Sequence, residues 1–176
     1  MVDKQKTIDK SVTVSGTGLH TGQLGQITMH SAPENHGIKF RRVDIESKPI
    51  IDADINLVVS TDRGTTLSKN GYSLYTIEHL LAAFMGLGVD NVMIDVDMEE
   101  IPIKDGSSIH FINAIKEAGI VEQKANRKYI EITEPISYKI PDKNIEMLIE
   151  PADKFSATVT IDFETEILGK QIATLD

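Results

Sequence analysis

The sequence has no cysteine and no tryptophan, and only 5% of its 176 residues are aromatic. Without cysteine there is no disulfide and no thiolate nucleophile, and any metal must be held by His, Asp or Glu. So few aromatic rings leave no platform on which nucleic-acid bases would stack. Basic residues are scarce too, with 18 Lys and Arg against 27 Asp and Glu, a net charge of -9. A nucleic-acid binder usually carries the opposite imbalance, so that class is set aside. No apolar run approaches membrane-spanning length, and Met1 precedes the charged Asp3-Lys4-Gln5-Lys6 instead of an apolar signal core. These features predict a cytoplasmic protein.

What is present fits a globular protein, at 40% hydrophobic and 26% charged residues. The length allows one large domain, or one domain and part of another. Residues 129–176 hold 10 acids and 4 bases, so they carry most of the negative charge and mark a compositional boundary. Before it, residues 6–15 alternate around Ile8, Val12 and Val14, and residues 24–31 around Leu24, Ile27 and Met29. With 38–43, after the turn Pro33-Glu-Asn-His-Gly37, they predict three strands of a meander. Asn70-Gly71 between two short strand patterns predicts a two-residue hairpin. Asn91 to Met98 alternates strictly, with Val92, Ile94, Val96 and Met98 on the buried face. Asp95, Asp97, Glu99 and Glu100 read as a solvated acidic face.

A helix is expected over 108–118, capped by Ser107 or Ser108, ended by Gly119, and buried through Ile109, Ile112 and Ile115. The polar run 122–128 reads as a linker. The expected fold is α+β: a two-layer α/β sandwich over 1–125, a sheet with helices on one face, then 126–176 as linker and opening strands of a second, similar domain. Strand patterns recur at 129–133, 136–140, 145–150 and 155–163. The plan strand, Pro turn, strand in Ile27…Pro33…Phe40 returns in Met147…Pro151…Val159, a faint sign of duplication. No helix pattern follows to cover those strands, which predicts a truncated second domain and an incomplete chain.

The residues with most chemical content lie in Thr76-Ile-Glu-His-Leu-Leu-Ala-Ala-Phe-Met-Gly-Leu-Gly-Val89. Ala, Leu and Met favour helix, and Gly86 or Gly88 would end it. A helix apolar nearly all round is expected to be buried, and burying the ionisable pair Glu78-His79 costs free energy unless each has a partner. One reading is a metal ligand, His79, beside a carboxylate base, Glu78, that reaches the metal's water. The other is a buried Glu–His hydrogen bond serving stability alone.

His30 and His36 read as surface residues and His110 as a plain helix residue, with no HxxxH spacing among them. Gly16-Thr-Gly-Leu-His20-Thr-Gly22 departs from the GxGxxG nucleotide pattern by one residue and precedes a strand, so it reads as a connection or a loop of close backbone approach. Asp105 before Gly106 reads as a turn acid or helix cap.

Together, Gly18-Leu-His-Thr-Gly22, Tyr75-Thr-Ile-Glu-His-Leu80, Gly88-Val-Asp-Asn91 and Glu100-Ile-Pro-Ile-Lys-Asp-Gly-Ser107 resemble one family. It is the UDP-3-O-acyl-N-acetylglucosamine deacetylases, zinc amidases of lipid A biosynthesis in Gram-negative bacteria. The resemblance implies two similar α/β domains packed face to face with the active site between them. It implies His79 as a zinc ligand and Glu78 as the general base, and matches His20 and Asp105 to recurring positions of the substrate pocket. The family's remaining ligands come from a His-Lys-x-x-Asp pattern, and no His follows His110 here. The chain is therefore expected to be an inactive portion with one of the Zn2+ ligands. A competing expectation is a non-catalytic binding or regulatory protein that retains the first domain. Some lineages fuse this deacetylase to a hydroxyacyl-carrier-protein dehydratase. An in-frame His-Lys-x-x-Asp beyond Asp176 would favour the enzyme, and a genuine stop codon the binding protein.

Overall fold

Period-two alternation in the first two thirds of the chain builds sheets, and two apolar helices cover the largest of them. The computed structural model describes residues 3–163 and 165–175; Met1 and Asp176, the outer limits of the two expected domains, lie outside them. Two compact units are present, Met1–Arg127 and Lys128–Asp176. In chain order the first contains β1 (Lys4–Ile8), β2 (Val12–Thr17), β3 (Leu24–Ser31), β4 (Ile38–Arg42), β5 (Ile50–Asp52), β6 (Val58–Ser60), β7 (Thr66–Lys69), β8 (Tyr72–Leu74), α1 (Glu78–Leu87), β9 (Val92–Val96), α2 (Ile109–Ala118) and β10 (Ile120–Asn126). The second contains β11 (Ile136–Ile140), β12 (Ile145–Ile149), β13 (Ala157–Asp162) and β14 (Lys170–Leu175). The fold is mixed α/β, mostly strand, with two α-helices among the described residues.

The expected meander is not what forms. The five-stranded sheet runs β2-β3-β9-β4-β5, so β9 separates β3 from β4. It pairs antiparallel with β3 and parallel with β4. Local turn signals cannot report such an insertion, because β9 arrives about fifty residues after β4. The first strand pattern also splits: β1 leaves the sheet and pairs with β10, which occupies most of the expected linker. A polar composition there suits an edge strand.

The inward face of the sheet supplies Val14, Ile27, Met29, Phe40, Ile51, Val92, Ile94 and Val96, all buried. Helix α1 adds Leu80, Ala83 and Phe84, and α2 adds Phe111, Ala114, Ile115 and Ala118. The buried face of α2 is thus rotated from the expected one: Ile109 is exposed and Ile112 only partly buried. Helix α1 is not buried all round either, since Ala82 and Met85 face solvent. Gly88 ends α1 in the left-handed conformation (φ 67°), as its lack of a Cβ allows. The Asn70-Gly71 hairpin joins β7 to β8, with both residues at positive φ.

In the second unit β11 pairs with β12 and β13 with β14, both antiparallel. No strand forms at 129–133. Ile136, Tyr138 and Ile140 lie opposite Ile149, Met147 and Ile145, which places six apolar residues on one face of the first hairpin. No helix among the described residues is long and apolar enough to cross a membrane.

Candidate functional site

Glu78 and His79 are the first two residues of α1. Their position corrects the premise of a buried pair: the side chains are 37% and 30% exposed. They sit where the chain turns from core to surface, Ile77 being buried just before them. Glu78 Oε1 lies 3.8 Å from His79 Nε2. That is within ion-pair range and too long for a hydrogen bond, so the stabilising Glu–His bond does not form. Instead Glu78 Oε2 accepts from the backbone N–H of Thr65 at 2.9 Å. One carboxylate oxygen is thereby fixed, and the other faces the imidazole.

His20 lies in the loop between β2 and β3. Its Nε2 is 3.0 Å from the Arg63 carbonyl. A carbonyl only accepts, so Nε2 carries the proton of the neutral ring and Nδ1 is left as an acceptor. Gly64 follows Arg63 and brings these groups to one place. A Cβ on Gly64 would stand 3.5 Å from Glu78 Oε1, 3.6 Å from Thr76 Oγ1 and 3.8 Å from His20 Nε2. His20, Thr76 and Glu78 therefore border one small region.

Asp105 stands apart from that group. It accepts from the backbone N–H and hydroxyl of Ser107, at 3.0 and 2.8 Å. Its Oδ2 is 3.2 Å from His110 Nε2. The Ser107 hydrogen bonds, with His110 alongside, hold this exposed carboxyl down to about 2. Among the described residues it makes no hydrogen bond or ion pair to His20, Glu78 or His79. The link between the two places is Ser108, whose hydroxyl donates to the His79 carbonyl at 2.8 Å. Ser108 thus ties α2 to the first turn of α1 and does not cap its own helix.

Glu100 does not belong to a solvated acidic face, contrary to the expectation from its acidic run. It is fully buried. Its carboxylate accepts from the backbone N–H groups of His20 and Thr21, at 2.9 and 2.8 Å, and from the hydroxyls of Thr21 and Thr76, at 2.8 and 3.1 Å. Burial pushes its pKa up, but these bonds outweigh burial and hold it below the ordinary range. Asp95 also departs from a solvated role, accepting two bonds from Arg41 at 2.6 and 2.8 Å and lying 3.3 Å from His30 Nε2. A signal for Glu100 existed. It continues the parity of Val92, Ile94, Val96 and Met98, all of which point inward.

Among the described residues no group of three or more His, Asp or Glu side chains is placed to hold a metal ion. The His79 imidazole is partly exposed and makes no hydrogen bond among them.

Comparison with known proteins gives one family. The model of the UDP-3-O-acyl N-acetylglycosamine deacetylases matches residues 5–176. The chain is 42% identical over 175 residues to a bifunctional enzyme LpxC/FabZ of Porphyromonas gingivalis, covering 99% of this chain and 38% of that protein. It is 42% identical to the UDP-3-O-acyl-N-acetylglucosamine deacetylase of Methylococcus capsulatus, covering 97% of this chain and 56% of the relative. The enzyme of that name from Neisseria gonorrhoeae is 36% identical, with 98% and 56% covered. The chain belongs to this family. It spans about half the length, or less, of these curated relatives.

Proposed function

We propose that the protein carrying this chain is a zinc-dependent deacetylase of lipid A biosynthesis. It would hydrolyse the acetamide of UDP-3-O-acyl-N-acetylglucosamine to the free amine and acetate. Family membership supports the reaction. The observation that carries the residue roles is the geometry of Glu78 and His79, side by side, solvent-reachable and not bonded to each other.

His79 would hold the zinc as one ligand, with the others supplied from outside these residues. When bound, zinc supplies a Lewis acid for the acetamide carbonyl and acidifies the attacking water. Glu78 is the base: the Thr65 N–H fixes Oε2 and leaves Oε1 to take a proton from that water. The water oxygen bonds to the acetamide carbon, the carbon–nitrogen bond breaks, and the proton passes to the leaving amine. His20 lines the substrate pocket with Nδ1 as an acceptor or, when protonated, a donor. Asp105 shapes the turn at the pocket's rim through Ser107. The second unit begins a domain like the first, a reading supported by its two successive antiparallel hairpins with a Pro turn between them.

The test is proton NMR of the family-length enzyme with the UDP-sugar. Acetate and free amine should appear in equal amounts and stop on chelation. A folded enzyme that releases no acetate would refute the assignment.

A further inference from the structure

We propose that Glu100 is the positioning residue of this site, fixing the His20 loop and the start of α1 against each other so that His20 and Glu78 face one space. The catalytic consequence rests on the deacetylase reading, whereas the geometric claim does not.

A fully buried carboxylate is costly unless paired or hydrogen-bonded, and no cation stands against Glu100 among the described residues. Four donors replace the cation. They come from two segments remote in sequence, the loop at His20-Thr21 and the residue two before Glu78. Stability alone would be served as well by an apolar side chain continuing the inward register of Met98. A carboxylate is needed only if the two segments must be joined.

Both segments show the effect of that join. A Cβ on Gly18 would meet the Glu100 carboxylate and the Thr21 hydroxyl, so the loop closes tightly only because Gly18 has none. Thr76 is buried, β-branched and left-handed, at φ 59°. Such a residue is strained and persists only when its surroundings fix it. The surroundings here are two backbone bonds of the preceding residue, Tyr75 N–H to the Glu99 carbonyl at 2.8 Å and Ile101 N–H to the Tyr75 carbonyl at 3.1 Å. The third tie is the Thr76 hydroxyl on Glu100. The turn at Thr76 sends Ile77 into the core and Glu78 outward.

The experiment compares Glu100→Gln, Thr76→Val and Thr76→Ser with the unmodified chain. Gln keeps the shape of Glu100 but turns an amide toward donors. In NMR of the 176-residue chain, the nuclear Overhauser effect between the Gly64 α-protons and the His20 ring should be present, and lost in Glu100→Gln while core methyl shifts hold. In the family-length enzyme, Glu100→Gln and Thr76→Val should lower kcat about 10- to 100-fold with KM within about threefold. Thr76→Ser, which keeps the hydroxyl, should recover most of what Thr76→Val loses. Retention of the Overhauser effect in folded Glu100→Gln would overturn the proposal, as would equal kcat in Thr76→Val and Thr76→Ser. If Glu100→Gln fails to fold, the Thr76 pair decides. An unmodified enzyme that releases no acetate defeats the deacetylase reading, and the Overhauser comparison still decides the geometry.

Discussion

Gly18 and Glu100 are fitted to each other, and each constrains what the other position accepts. Adding a single methyl at Gly18 places a carbon against the Glu100 carboxylate. Overpacking of this kind costs about 1–3 kcal/mol, so Gly18→Ala should lower the urea midpoint accordingly. An unchanged midpoint would show that the loop relaxes freely. Part of this was legible in the sequence. The glycine-rich loop points to close backbone approach, but its partner reads as a solvated acid because neighbouring carboxylates mask the parity of position 100. Glu78 and His79 stood out for a reason the structure revises. They are polar because they begin a helix at the surface, and their conflict with a buried environment disappears. Thr76 gave no signal at all, since nothing in a threonine announces a left-handed backbone.

At the scale of elements, α1 is a lever whose buried side fixes its functional end. Leu80, Ala83 and Phe84 are fully buried, while Met85 is 64% exposed. Truncating Phe84 to alanine should cost about 3–5 kcal/mol. Met85→Ala should cost well under about 1 kcal/mol, the range of a surface change. Urea denaturation of the two variants checks the contrast, and equal losses would mean that the helix packs on its other side. Both helices and most of the expected strands followed from local periodicity, though 129–133 forms no strand, and Gly88 and Gly119 stop the helices as expected. Strand order did not follow. β9 enters between β3 and β4 through pairing remote in sequence, and β10 is a polar strand recognisable only from its partner β1.

For the whole molecule, acid should unfold the chain through carboxylates held below their ordinary pKa. Hydrogen bonds from Lys69 and Lys39 hold Asp52 down to about 2. The Arg42 guanidinium lowers Asp44, and Arg41 and His30 lower Asp95 against its burial. A carboxylate lowered in the folded state favours folding above its unfolded pKa, and the contribution is lost as pH falls through the folded value. Stability to urea should therefore be full above the ordinary Asp value of 3.8 and its Glu counterpart of 4.5, and decline toward about 2. Undiminished stability at the bottom of that window would contradict these pairings. The two-unit division coincides with a change in charge that composition alone displays.

The central claim is that Glu78 and His79 have separate tasks, one on the proton and one on the metal. Zinc content and turnover of Glu78→Ala and His79→Ala in the family-length enzyme test it most directly. Glu78→Ala should keep its zinc and lose about 10²- to 10⁴-fold in kcat, the usual contribution of a positioned base. His79→Ala should lose zinc and turnover together. Equal zinc loss in the two variants, with both folded, would contradict the division of roles.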